Sequence, residues 1–212
     1  MWIAAALAGS VVVLAAVWIF VLQDVEVPAY EVTEAEGPFE LRRYPPLVVA
    51  EVRKEGPRQR AIQRGFRPLA RYIFASGREG DRIAMTAPVT QTPLNIAPTA
   101  SAGDDVAIAH EGMSGAWAVR FIMPSDHRLE DLPAPSAGSD VHLHRLPAAT
   151  RAAVRFSGVA TDAVFSEQEA GLRAWIMEQG LTEAGPPDYA YYNDPMTPGF
   201  LRRNEVIIEV LR

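Results

Sequence analysis

His142 and His144 lie two residues apart, and on a strand such a pair shares one face and would offer two imidazoles to a metal ion. Val141 and Leu143 fall on the opposite, apolar face, and spacing fixes no third ligand, so an exposed polar face is expected. His110 and His127 fall in predicted loops and add no pattern. A run of arginines is more informative. Arg58, Arg60, Arg64, Arg67 and Arg71 stand opposite or beside the apolar stripe of one predicted helix, in a chain of net charge −6. Such a run serves either as a solvated face or, where one edge borders an apolar pocket, as a site for a flat amphipathic molecule with carboxylates. Anionic lipid headgroups would suit the same cations. Asp194-Pro195-Met196-Thr197-Pro198-Gly199-Phe200 forms a stiff apolar loop after Tyr189, Tyr191 and Tyr192, suited to a large planar ligand or to the edge of a core. A serine triad, paired carboxylates, a phosphate loop and a dinucleotide fingerprint are absent. Lack of cysteine excludes disulfides, thiolate metal sites and a cysteine nucleophile. The negative net charge argues against sequence-independent nucleic-acid binding. No enzyme is expected.

Patterning says which elements must position these groups. Tyr30–Glu36 and Phe39–Tyr44 flank Gly37-Pro38 as a hairpin, and Leu47–Glu55 reads as a further strand. Ile62, Phe66, Leu69 and Ile73 then recur at helical spacing, with Gly65 and Pro68 predicting a kink or a late start. Ile83–Thr90 and Trp117–Met123 alternate as strands, with a Pro-, Gly-, Ala- and Asp-rich loop over Thr92–Ser114 between them. Beyond a proline-rich connection over Pro124–Ser139 the order repeats: strands at Asp140–Leu146 and Arg151–Gly158, a helix over Asp162–Gln179, and strands at Tyr189–Asn193 and Asn204–Leu211. Ser166 with Glu169 matches a capping box, and Gly180 stands where a C-terminal cap belongs. The predicted fold is a duplicated α+β unit, two helices on one largely antiparallel sheet.

Met1–Leu22 carries no charge and only Gly9 and Ser10 outside the apolar set. As a helix it would span about 33 Å, enough to cross a bilayer. It is expected to be an uncleaved transmembrane anchor, with a signal peptide cleaved near Val27-Pro28-Ala29 as the alternative. A linker over 23–29 would join it to one domain over 30–212. No basic residue precedes the segment, while Asp24, Glu26, Glu31, Glu34 and Glu36 follow it before Arg42. An extracytoplasmic domain follows if the N-terminus stays inside.

Several segments together resemble the SOUL/haem-binding protein family: YEVTEAEGPFEL at Tyr30–Leu41, GFRPLARYIFAS at Gly65–Ser76, IAMTAPV at Ile83–Val89, FIMP at Phe121–Pro124, LPAPS at Leu132–Ser136 and YYNDPMTPGFLRRNEV at Tyr191–Val206. The resemblance covers nearly everything after residue 28. It implies a distorted, barrel-like antiparallel sheet with two helices, similar to bacterial effector-binding domains, and reversible, non-covalent binding of haem or a related tetrapyrrole without chemistry of its own. The family's pocket, carried over residue by residue, nominates Gln63, Phe66, Leu69, Ala70 and Arg71 on the helix and Met196 and Thr197 on the loop. Arg71 is then expected to meet a propionate with Arg67 in reserve, and Phe66, Leu69 and Met196 to touch the ring. A basic residue follows the loop methionine in family patterns, whereas Thr197 stands here. No histidine falls in the helix or the loop, so binding without a protein axial ligand is expected. The alternatives are another amphipathic ligand or an anionic lipid headgroup in the same groove, and a hydrolase on an effector-binding fold.

Overall fold

Gly37, in the left-handed region at φ 57°, closes a hairpin between β1 (Glu31–Glu36) and β2 (Phe39–Tyr44). The computed structural model describes residues 25–94 and 114–212. β3 (Leu47–Pro57) runs into α1 (Arg58–Ile73), followed by β4 (Val89–Pro93) and β5 (Ser114–Ile122). β6 (His142–Leu146) and β7 (Ala149–Ser157) lead into α2 (Asp162–Glu178), then β8 (Thr182–Glu183), β9 (Asp188–Tyr191) and β10 (Arg203–Leu211). The strands form one sheet in the order β1-β2-β7-β10-β9-β4-β5-β3-β6, with β8 paired to β10, and every strand pair is antiparallel. β1 and β6 are its two edges, so the sheet is open rather than a closed barrel.

The predicted duplication is visible in that order. Matching β2, β3, α1, β4 and β5 with β6, β7, α2, β9 and β10 maps the strand order onto its own reverse, about an axis between β4 and β9. Each half thereby gives its first strand to the other: β2 pairs with β7, and β6 with β3.

Alternation sorts the strands into two faces. Both helices pack on the same one. Trp117, Val154, Val206 and Ile208 meet Phe165, Leu172 and Ile176 of α2, while Val52, Val119 and Phe121 meet Leu69, Tyr72 and Ile73 of α1. α1 starts at Arg58 and runs through Gly65 and Pro68 as one helix, so the late start is not observed. Gly65 is required by proximity: a Cβ there would lie 2.8 Å from both Cβ and Cγ2 of Val119. Gly65→Ala is expected to destabilise by about 1–2 kcal/mol, overpacking outweighing the gain in helix propensity. Chemical denaturation of the two proteins checks this.

Other expectations shift. The fourth strand begins at Val89, not Ile83; ahead of it Thr86 is buried and its hydroxyl donates to the Ile122 carbonyl. α2 is capped by Thr161, whose hydroxyl accepts from the Val164 amide at 3.3 Å, so the helix begins before the Ser166 capping box. Gly180, at φ 66°, follows the helix as expected.

The anchor expected over Met1–Leu22 lies outside the described residues. The localisation built on it is corrected here: among the described residues no helix is long and apolar enough to cross a membrane. α1 and α2 have 16 and 17 residues and carry charged side chains along their exposed faces. A span needs about 20 mostly apolar residues.

Candidate functional site

α1 divides into three lengthwise zones. Arg58, Ala61, Gly65, Leu69, Tyr72 and Ile73 are buried against the sheet. Ile62, Phe66 and Ala70 form a half-buried flank, Phe66 standing edge-on to Phe121 at 5.2 Å between ring centres. Arg60, Arg64, Arg67 and Arg71 are exposed at spacings of four, three and four. That spacing draws one stripe about 16 Å long. Gln63, also exposed, sits between flank and stripe. Arg64 donates to the Glu55 carbonyl at 3.0 Å, whereas Arg60, Arg67 and Arg71 form no ion pair among the described residues. Arg58 is set apart from this basic face. It is wholly buried, bonds Asp162 at 2.6 Å, the Ala160 carbonyl at 3.0 Å and the Tyr191 hydroxyl, and lies 4.6 Å over the Phe165 ring.

The nominated residues are therefore differently placed. Phe66, Ala70, Gln63, Arg67 and Arg71 share the accessible side of α1. Leu69 is fully buried among Tyr72, Val119 and Phe121, so its side chain is floor rather than surface. On the loop, Met196 is 80% exposed and Thr197 is buried. Asp194 sets the loop's shape: its Oδ1 accepts from the Met196 and Thr197 amides at 2.7 and 3.2 Å, and its Oδ2 from the Thr197 hydroxyl at 2.8 Å. Burial pushes the Asp194 carboxyl up, but the Thr197 hydroxyl and the Met196 and Thr197 amides together outweigh it and hold the group below its ordinary value. Arg202 bonds the Thr197 and Pro195 carbonyls at 2.7 and 2.6 Å. The Thr197 hydroxyl is thus committed to Asp194, while the Met196 and Phe200 side chains stand out to solvent. A Cβ at Gly199 would lie 2.8 Å from Val159, so the loop's far end sits directly against the β7–α2 turn.

His142 and His144 do lie on the face away from the helices, with Val141 and Leu143 inward. His144 Nε2 stands 3.7 Å from Glu51. Burial, with Arg120 and Arg53 nearby, keeps its imidazole below the usual value against the pull of Glu51. Among the described residues no three His, Asp or Glu side chains group as a metal site.

A large buried polar constellation was not anticipated as a whole. On that same helix-free face Arg42, 1% exposed, grips Glu205, 0% exposed, at 2.7 and 3.1 Å, with Arg203 and the Tyr192 hydroxyl bonding the same carboxylate at 2.7 Å. Beside it, Arg120 bonds Glu51 at 2.7 Å. Only the same-face spacing of Arg203 with Glu205 signalled any of this in the sequence. Arg42 lies 163 residues from its partner.

The family profile described as SOUL heme-binding protein matches residues 25–209, which takes in both helices, the loop and the sheet up to residue 209 of β10. The chain belongs to the SOUL haem-binding protein family. No curated protein matches it. This SOUL domain is similar in fold to the EcmrR C-terminal domain, at a TM-score of 0.59 and 12% identity over 86% of this chain and 98% of that one. It is similar also to a hydrolase from Listeria innocua, at a TM-score of 0.54 and 14% identity over 84% and 94% of the two chains. EcmrR in a complex with DNA gives a TM-score of 0.57 at 13% identity, over 82% of this chain and 57% of that one. These likenesses are of fold alone, an α+β unit with one large antiparallel sheet and two helices.

Proposed function

We propose that this SOUL domain binds haem or a related tetrapyrrole reversibly and without covalent attachment on the accessible side of α1. The observation that carries the reading is the boundary on that helix, where the half-buried Phe66 and Ala70 meet the exposed Arg67 and Arg71. When bound, haem supplies a planar apolar ring with two carboxylates at one edge. Phe66, Ala70 and Met196 are the apolar contacts, and Gln63 lies at their margin. Leu69 holds the floor rigid by its burial, and Thr197 acts through the shape it gives the loop. Arg71 meets a propionate as a planar fork, with Arg67 one turn away for the second. Ring burial and these ion pairs hold the ligand without an axial side chain, and the binding is reversible with no reaction of its own.

Haemin titrated into the protein is expected to give a saturable, one-to-one shift of the Soret band. Arg71→Ala is expected to weaken that binding by about 1–3 kcal/mol. An unsaturable change, or affinity unaltered by the substitution, counts against this site.

A further inference from the structure

The helix-free face of the sheet is crossed by the chain's own segment before β1. The Ala87 amide donates to the Glu26 carbonyl at 2.9 Å and the Ser125 amide to the Glu26 carboxylate at 2.8 Å. Tyr30 then lies 5.1 Å from the Tyr44 ring, with the Arg42 guanidinium 4.4 Å over it. Beneath this strap is a cavity of about 20 Å³, with Val27 and Pro28 as its lid and Ile122, Ile207, Tyr44 and Tyr192 among its walls. Arg151 and Asp188 form its polar end.

Arg151 differs from the other buried arginines of this face. Arg42 and Arg120 each bond a carboxylate at 2.7 Å. The Arg151 side chain is only 12% exposed, yet its nearest carboxylates, Asp188 and Glu209, are 3.6 and 4.0 Å away. Its Nε is buried and, among the described residues, has no hydrogen-bond partner. Asp188 is meanwhile engaged from its other side by the Thr92 hydroxyl and by Arg120 at 3.4 Å. The Arg151 guanidinium lines this cavity 5.5 Å over the Tyr44 ring, and its unused Nε–H leaves one edge of the fork able to bind a carboxylate in bidentate fashion.

We propose that this cavity is a second ligand site, which takes a small aromatic or apolar monocarboxylate on Arg151 when the strap Glu26–Tyr30 lifts. As it stands the cavity has room for about one water, so the strap must move to admit more. Asp188 at the same end disfavours a second carboxylate, which sets the preference for a monoanion. The site lies across the sheet from α1, so it neither depends on the haem reading nor shares residues with it.

4-Fluorobenzoate titrated into the full chain, followed by its ¹⁹F resonance, tests this. A saturable one-to-one shift is expected. It should weaken about tenfold or more in Arg151→Gln, where the fork is lost. It should be unchanged in Arg71→Ala, tighten in Glu26→Ala, which frees the side-chain tie of the strap, and be weaker for a fluorinated phthalate. Should Arg151→Gln fail to fold, Arg151→Lys keeps the charge but not the fork and is expected to weaken binding too. Absence of a saturable shift in both the full chain and Glu26→Ala overturns the proposal, as does equal affinity in a folded Arg151 variant.

Discussion

Glu205→Ala is expected to destabilise the domain by about 3–5 kcal/mol, because it leaves the buried Arg42 without its counter-charge. Arg42 keeps Glu40 at 2.7 Å, but Glu40 is partly exposed, whereas Glu205 is fully buried and joins three strands' worth of donors: Arg42 from β2, Arg203 from its own strand and Tyr192 next to β9. Replacing both partners by apolar residues, as in Arg42→Met with Glu205→Leu, is expected to recover much of the loss, since no charge is then stranded. Urea unfolding of the single and double variants measures both. The pair also sets a pH dependence. Burial alone would raise the Glu205 carboxyl, but the bonds and charge of Arg42, then Arg203 and Tyr192, outweigh it and hold the folded value below the ordinary 4.5. Its contribution is therefore fully present above that ordinary value and is lost as pH falls through the lower, folded one. Glu205→Gln should flatten this acid limb.

Arg58→Ala is expected to cost about 3–5 kcal/mol, chiefly through the cavity left against Phe165 and the lost bonds to the Ala160 carbonyl and the Tyr191 hydroxyl, since Asp162 is partly exposed and stays hydrated. Arg58 begins α1 and Asp162 begins α2, so one ion pair ties together the starts of both helices near the axis of the duplication. Gln91 of β4 also bonds the Arg58 carbonyl at 2.8 Å. Burial first, with Asp162 adding to it, pushes the Tyr191 phenol up to about 12 against the opposing pull of Arg58, so Tyr191 stays a neutral partner at physiological pH. Arg58→Met, which keeps the volume, should lose less than alanine, and its thermal midpoint relative to Arg58→Ala separates packing from charge.

The local patterns were legible in the sequence because short-range physics produced them. Strand alternation placed Val141 and Leu143 inward and His142 and His144 outward, and Gly37 and Gly180 marked turns that need a positive φ. Both helices and the repeated order of elements followed from the same patterns. What escaped depended on partners far along the chain. Nothing near Arg58 distinguishes it from Arg60, yet one is buried beneath Phe165 and the other faces water. Leu69 was nominated for contact with a ligand by its place in a motif, whereas its direction on the helix turns it to the core. Thr197 likewise spends its hydroxyl within its own loop. The network on the helix-free face joins residues from β2, β10 and the turn after β9, and no window of sequence contains more than part of it.

The exchange of β2 and β6 between the halves bears on how the chain reaches its fold. Either half alone would leave its own β7-like or β3-like strand with an open edge where the other half's strand belongs, so the duplicated unit is not an independent folding module. The pairings that complete the sheet join residues about a hundred positions apart, as Leu47 with Leu146 and Leu41 with Ala152 do. Such closures are paid for in chain entropy before they are rewarded, which places this topology among slow folders. During synthesis, the first half must wait with an unpaired edge until residues beyond 140 emerge, and that interval is when it is most open to pairing with a second copy of itself.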